Sequence, residues 1–267
     1  MPTIDANGLD LSYQIDGDGP ETLVLVNGLA DDKESWEGQI PAFADRYRVI
    51  SFDNRGIGES PTPPGPYTSA QMADDLAGLV DALEVERFHL LGLSMGGMIA
   101  QEYAIAHSDR LLSASFCCTY AYPGPFCLRM FQCWRDLVPS LGVGFTQREV
   151  ILWAFTTDFF EQREEELIEV ENLMANNPQP TDAYLAQLHS IEHHDTRGRL
   201  AAVQCPALTL ICEEDLIIYP KLSRRLHEEL PQSRWAETRG GHGCLWEYPD
   251  DINAAVLSFL AGVDGRP

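Results

Sequence analysis

The spacing of apolar side chains changes period repeatedly along the 267-residue chain. Ile4 to Ile15 alternates on either side of Asn7-Gly8, a dipeptide suited to a tight hairpin turn, and predicts a β-hairpin. Leu23 to Val26 and Val49 to Phe52 are short β-rich runs bounded by turn residues. Phe88 to Leu93, Leu111 to Cys117 and Ala207 to Cys212 repeat that pattern. Between or after them the apolar spacing turns helical, at Trp36 to Ala44, Met72 to Leu83, Met98 to Ala104, Lys221 to Leu230 and Asp251 to Leu260. Ser69 is the expected N-cap of the second helix, with Met72 where a capping box prefers Glu. Strands alternating with helices predict an α/β fold, a mostly parallel sheet with helices on both faces.

One stretch breaks the rhythm. From about Tyr120 to Leu200 no strand pattern occurs, and the composition is helical, aromatic and acidic. Because strands resume afterwards, residues 120–200 are expected to form a helical cap inserted into a core made of residues 1–119 and 201–267. Glu161, Glu164, Glu165, Glu166, Glu169 and Glu171 stand against Arg163 alone and predict a solvated helix face.

Composition then narrows the function. Hydrophobic residues make up 45% of the chain, enough for a large core, and 18 basic against 41 acidic residues give a net charge of −23. Nucleic acid and anionic membranes both require clustered cations, so neither is an expected partner. The start has no basic segment followed by an apolar run, and no apolar stretch is long enough for a bilayer span. The seven cysteines are odd in number and show neither metal spacing nor a disulfide framework. Buried free thiols in a reducing cytoplasm, in a monomer or homodimer acting on a small molecule, are the expectation.

Chemistry enters at Gly92-Leu93-Ser94-Met95-Gly96, a G-x-S-x-G sequence with a strand before it and a helix after it. A turn that tight excludes side chains two positions away and lifts the serine hydroxyl clear of the sheet. It also sets Ser94 at a helix N-terminus, where free N–H groups favour developing negative charge. A serine nucleophile needs a base and a group to orient that base. His89 reads as core, His107 as a helix end and His227 as a charged helix face. His189, His193 and His194 belong to the inserted block and lack a convincing third metal ligand. His242, in Arg239-Gly240-Gly241-His242-Gly243, lies on a glycine-rich loop that can bring an imidazole to the serine. Glu213-Glu214-Asp215 closes the strand ending at Cys212, at the carboxyl end where parallel sheets place their chemistry.

With these features the chain resembles the α/β-hydrolase family over nearly its whole length. Val26-Asn27-Gly28-Leu29 occupies the position of that family's oxyanion loop, and Asp53-Asn54-Arg55-Gly56-Ile57-Gly58-Glu59-Ser60 matches its D-x-R-G-x-G-x-S turn. Cys205-Pro206 to Asp215 looks like the acid-bearing strand, and Gly241-His242 with Glu247 and Pro249 looks like the histidine loop. Asn27 replaces the usual histidine, and Cys212 stands where glycine is frequent. "VNGLADDKESW", "DNRGIGES", "GPYT" and "GLSMGG" look most like 3-oxoadipate enol-lactonases and related serine esterases.

The resemblance implies a Ser94–His242–Asp215 triad, an oxyanion hole from the backbone N–H groups of Leu29 and Met95, and no metal or organic cofactor. It implies hydrolysis of a small carboxylic ester or lactone through an acyl-enzyme. Alternatives on the same fold are carbon–carbon bond hydrolysis of diketones and a slow-turnover, receptor-like member. The aromatic residues Tyr120, Phe126, Trp134 and Trp153 are the candidate substrate contacts, with Tyr122, Phe131, Phe145 and Phe155 available nearby. Arg129, Arg135 and Arg148 are the early-cap cations that could receive a substrate carboxylate.

Overall fold

The computed structural model describes residues 2–176 and 178–263. Strands β1 (Thr3–Ala6) and β2 (Leu9–Asp16) form the hairpin, with Asn7 and Gly8 both at positive φ in its turn. Then follow β3 (Thr22–Val26), a 3₁₀ turn (Lys33–Trp36), α1 (Ile40–Ala44), β4 (Arg48–Phe52), α2 (Ser69–Ala82), β5 (Phe88–Leu93), α3 (Met95–Ala106) and β6 (Leu111–Cys117). After an all-helical stretch come β7 (Ala207–Cys212), α8 (Pro220–Glu229), β8 (Ser233–Thr238), α9 (Cys244–Glu247) and α10 (Pro249–Val263). The eight strands lie in the order β1-β2-β4-β3-β5-β6-β7-β8; β1 and β2 run antiparallel and the strands from β4 to β8 are parallel.

Burial explains why β3 reads as a continuous apolar run. Val24 and Val26 pack into the layer holding Met72, Leu76 and Met98 of α2 and α3, while Leu23 and Leu25 pack into the layer holding Phe43, Ile252 and Val256 of α1 and α10. Both faces are covered, so alternation disappears. The expected helix from Trp36 to Ala44 is instead the 3₁₀ turn plus the one-turn α1, separated by Gly38 and started by Pro41 near its N-terminus. Thr68, rather than Ser69, caps α2 by accepting the Gln71 N–H at 3.1 Å; the Ser69 hydroxyl bonds His194 Nδ1 at 2.8 Å.

Between β6 and β7 run α4 (Pro125–Ala154), α5 (Thr157–Gln162), α6 (Glu164–Ala175) and α7 (Thr181–Glu192). Gly142 breaks α4 into two segments with a φ of 83°. The acidic faces of α5 and α6 point to solvent, while Leu167 turns inward.

Candidate active site

Ser94 sits between β5 and α3 at φ 55°, ψ −116°, a conformation costly for any residue with a Cβ. Its surroundings hold it there. The Ser94 N–H donates to the Cys117 carbonyl at 2.9 Å, and the Thr119 hydroxyl donates to the Ser94 carbonyl at 2.8 Å. Side chains at Gly92 or Gly96 would collide with backbone: the Gly96 carbonyl in the first case, the Val26 carbonyl in the second. The glycines therefore let α3 press against β3 and bring Ser94 up to the loop that follows β3.

His242 reaches the serine from the loop after β8. Its Nε2 lies 3.0 Å from Ser94 Oγ, and its Nδ1 lies 2.7 Å from Asp215 Oδ2. A carboxylate can only accept, so Nδ1 carries the proton and Nε2 is free to accept from the serine hydroxyl. Asp215 is 2% exposed, and its Oδ1 accepts the N–H groups of Ile217 at 2.9 Å and Ile218 at 2.8 Å. Glu213 and Glu214 are exposed. Glu247, buried below the loop, accepts the Gly241 N–H at 2.9 Å and also the Thr156 hydroxyl.

The Met95 N–H opens α3 and has no acceptor within that helix. Leu29 lies opposite, on the loop after β3. Asn27 organises this loop in place of a histidine: its amide donates to the Asp31 carbonyl at 3.2 Å and the Phe52 carbonyl at 3.3 Å, and its oxygen accepts the Trp36 indole N–H. Below, the buried pair Lys33–Asp53 joins this loop to the turn after β4 at 2.8 Å.

Ser94, His242 and Leu29 open onto a partly enclosed, mostly apolar cavity. Ile217 and Ile218 line it from the sheet side, and Phe131, Trp134, Ile151 and Phe155 from α4 and its end. Tyr184 adds a buried hydroxyl with no protein partner among the described residues. Of the four expected aromatic contacts, Trp134 is on the wall and the other three are not. Tyr120 is buried beneath, its hydroxyl donating to the Ile191 carbonyl at 2.5 Å. Phe126 is 48% exposed and packs edge-on to Tyr219. Trp153 turns its indole N–H to Glu149 at 2.6 Å.

No described lining residue is Lys or Arg. Arg135 pairs with Glu192, Arg129 is exposed and donates to the Pro125 carbonyl at 3.1 Å, and Arg148 is exposed. One lining residue has no counterpart in the sequence-based expectations: Asp31, whose carboxyl is pushed up to about 7, by burial first, against a smaller opposing pull from His242.

Three groups of side chains gather ligand atoms within 4.8 Å among the described residues. Cys117, Cys118 and Cys244 lie in the apolar layer under the site; hydrogen bonding between thiols, with burial, pushes Cys117 and Cys244 well above the ordinary thiol range. Thiols must lose their protons to bind a metal, so this is no ready ligand set. Cys118, Asp215 and His242 form the second group, which uses the triad's own atoms. In the third, His189 and His193 stack at 3.9 Å while Glu192 is engaged by Arg135.

Residues 21–249 match the alpha/beta hydrolase fold family. The chain belongs to that family. As an α/β hydrolase it is 31% identical over 249 residues to RutD of Caulobacter sp. strain K31, which bears the name of a carbamate hydrolase, covering 91% of each chain. The enol-lactonase of Burkholderia xenovorans LB400 superposes with a TM-score of 0.90 at 29% identity, covering 97% of this chain and 100% of that one. A thermophilic esterase of Thermogutta terrifontis superposes with a TM-score of 0.86 at 31% identity, covering 98% and 97%. This α/β hydrolase therefore has a hydrolytic role, and among the described residues no helix is long and apolar enough to cross a membrane.

Proposed function

We propose that the protein is a serine hydrolase of neutral esters or lactones that carry an apolar or aromatic part. The observation behind this reading is the hydrogen-bonded series Ser94–His242–Asp215 opening onto an apolar cavity with no cation among its described lining residues. Ser94 Oγ attacks the carbonyl carbon as His242 Nε2 takes its proton. Asp215 holds the imidazole and balances its positive charge. The N–H groups of Leu29 and Met95 receive the oxyanion, at roughly 3 kcal/mol per donor. Protonated His242 then gives its proton to the leaving oxygen, and the C–O bond breaks. Water, deprotonated by His242, attacks the acyl-enzyme; the C–Oγ bond breaks as His242 returns that proton to Ser94 Oγ, freeing the acid.

In this reading residues 120–200 act as a cap that supplies much of the cavity wall, and Trp134 is the substrate contact. An enol-lactone bearing a free carboxylate would meet apolar walls and Asp31 with no cation to receive it. An unsubstituted carbamate is small and polar and would leave those walls unfilled. The test is a kinetic panel on wild type and Ser94→Ala: a neutral aryl ester, an alkyl ester, 3-oxoadipate enol-lactone, an aryl carbamate and a diketone. The expected ranking by kcat/KM places the neutral aryl ester first, with all turnover abolished in Ser94→Ala. A large preference for the carboxylate-bearing lactone, the carbamate or the diketone overturns the substrate assignment.

A further inference from the structure

The loop after β3 brings a second acid to the reacting end of the cavity. Asp31 lines the same cavity as Ser94, His242 and Leu29. A Cβ placed on Gly28 would lie 2.7 Å from Asp31 Oδ2 and 3.6 Å from Ser94 Cβ, so the carboxyl and the nucleophile flank one small space that glycine keeps open. The Asp31 carbonyl is held by Asn27, and the Ala30 N–H donates to Gln187 Oε1 of α7 at 3.2 Å, which fixes the loop under the helices above. The carboxyl itself has neither a hydrogen bond nor an ion pair to the described residues.

We propose that Asp31 is a further catalytic residue, which in its neutral form donates a hydrogen bond to the substrate carbonyl oxygen as that oxygen becomes an oxyanion. This rests on the reading of Ser94 as nucleophile. On the loop that carries Gly28 and Leu29 up to Ser94, an ionised carboxyl would repel an oxyanion forming at Ser94, while a neutral one adds a donor to the proposed Leu29 and Met95 N–H groups. The titratable groups acting on it are His242, which lines the same cavity, and Asp32 beside it in the loop. Burial raises the Asp31 carboxyl and Asp32 adds to this, while His242 opposes, leaving it at about 7. Asp31 thus holds its proton up to about neutrality. The proton stays on Asp31 throughout, so the acyl-transfer balance is unchanged.

The test measures kcat and KM for a neutral aryl ester by pH-stat from about pH 5.5 to about pH 9, in wild type, Asp31→Asn and Asp31→Ala. Active enzyme is counted in each by stoichiometric labelling with a fluorophosphonate. Wild-type kcat should fall on the alkaline side of about 7 as Asp31 ionises. Asp31→Ala should lose on the order of 10²-fold in kcat at low pH with little change in KM. Asp31→Asn keeps a donor in place, so it should lose far less and should not show the alkaline fall. An unchanged alkaline limb in Asp31→Asn, equal losses in both variants, or an unchanged kcat in Asp31→Ala overturns the proposal. Absence of labelling at Ser94 in wild type would sink the serine-hydrolase reading itself; labelling with an unaltered pH profile removes the role of Asp31 alone.

Discussion

The Thr156 hydroxyl, at the start of α5, donates to the Glu247 carboxylate that also accepts the N–H of Gly241, the residue before His242. Through that one buried carboxylate the end of α4 and the histidine loop are fastened together. The Gly243 N–H donating to the Ala154 carbonyl at 2.8 Å reinforces the join. Thr156→Ala leaves a buried acceptor short of a donor and should cost about 1–3 kcal/mol in urea unfolding. Its kcat should fall more than its KM rises, because the loop carrying His242 loosens. Loss of stability with unchanged kcat would show that the clamp does not position the histidine.

The three carboxylates after β7 make distinct predictions. Asp215→Asn should lower kcat by on the order of 10⁴ while far-UV circular dichroism and Ser94 accessibility stay intact. Glu213→Gln and Glu214→Gln, both at exposed positions, should remain near wild type. Measured kcat values in which Glu214→Gln is the crippled variant would reverse the assignment.

Burial holds the His194 imidazole down to about 3, with its ring nitrogen on Ser69. The unfolded chain binds a proton below about 6.5, and the native state does not until about 3. Native stability from this group is complete above 6.5 and declines as pH falls towards 3, by on the order of 4 kcal/mol in all. Urea midpoints of His194→Gln should therefore depend less on pH across that window than those of wild type.

Asp31 has the opposite sign. Its folded carboxyl titrates at about 7 against 3.8 unfolded, so the native state binds the extra proton between those values and loses stability as pH rises through them. Asp31→Asn should be more stable than wild type above pH 7, by roughly 2 kcal/mol once partial hydration from the cavity is allowed for. The His194 and Asp31 slopes oppose each other between 3.8 and 6.5, so each emerges only in its own variant.

The meeting of Ser94 and His242 is legible because each is marked by local backbone demands: glycines that a tight elbow requires, and glycines that let a loop swing. Asp215 needed the family resemblance, since three consecutive acids at a strand end look alike until Ile217 and Ile218 donate to one of them. Asp31 was hidden in Ala30-Asp31-Asp32-Lys33, which reads as an ordinary polar loop. Its place at the cavity depends on distant elements: Gln187 of α7 accepts the neighbouring Ala30 N–H, and His242 lines the same cavity. The aromatic wall was only partly legible for a related reason. Helical spacing marks a face of a helix but not what covers it: Phe126 at the start of α4 stays exposed, Tyr120 is buried against the Ile191 carbonyl, and Trp153 turns to Glu149.

The proposed reacting groups Ser94, Asp215, His242 and the Leu29 loop all follow strand ends, whereas Phe131, Trp134, Ile151 and Tyr184 come from the helices between β6 and β7. On the proposed reading, chemistry and selectivity are encoded in separable lengths of chain. A lineage could exchange the helical stretch for another, acquiring new substrates in one recombination while inheriting its bond-breaking apparatus whole. The seam such an exchange must respect is the Ala154–Thr156 junction, where the two lengths meet Gly243 and Glu247.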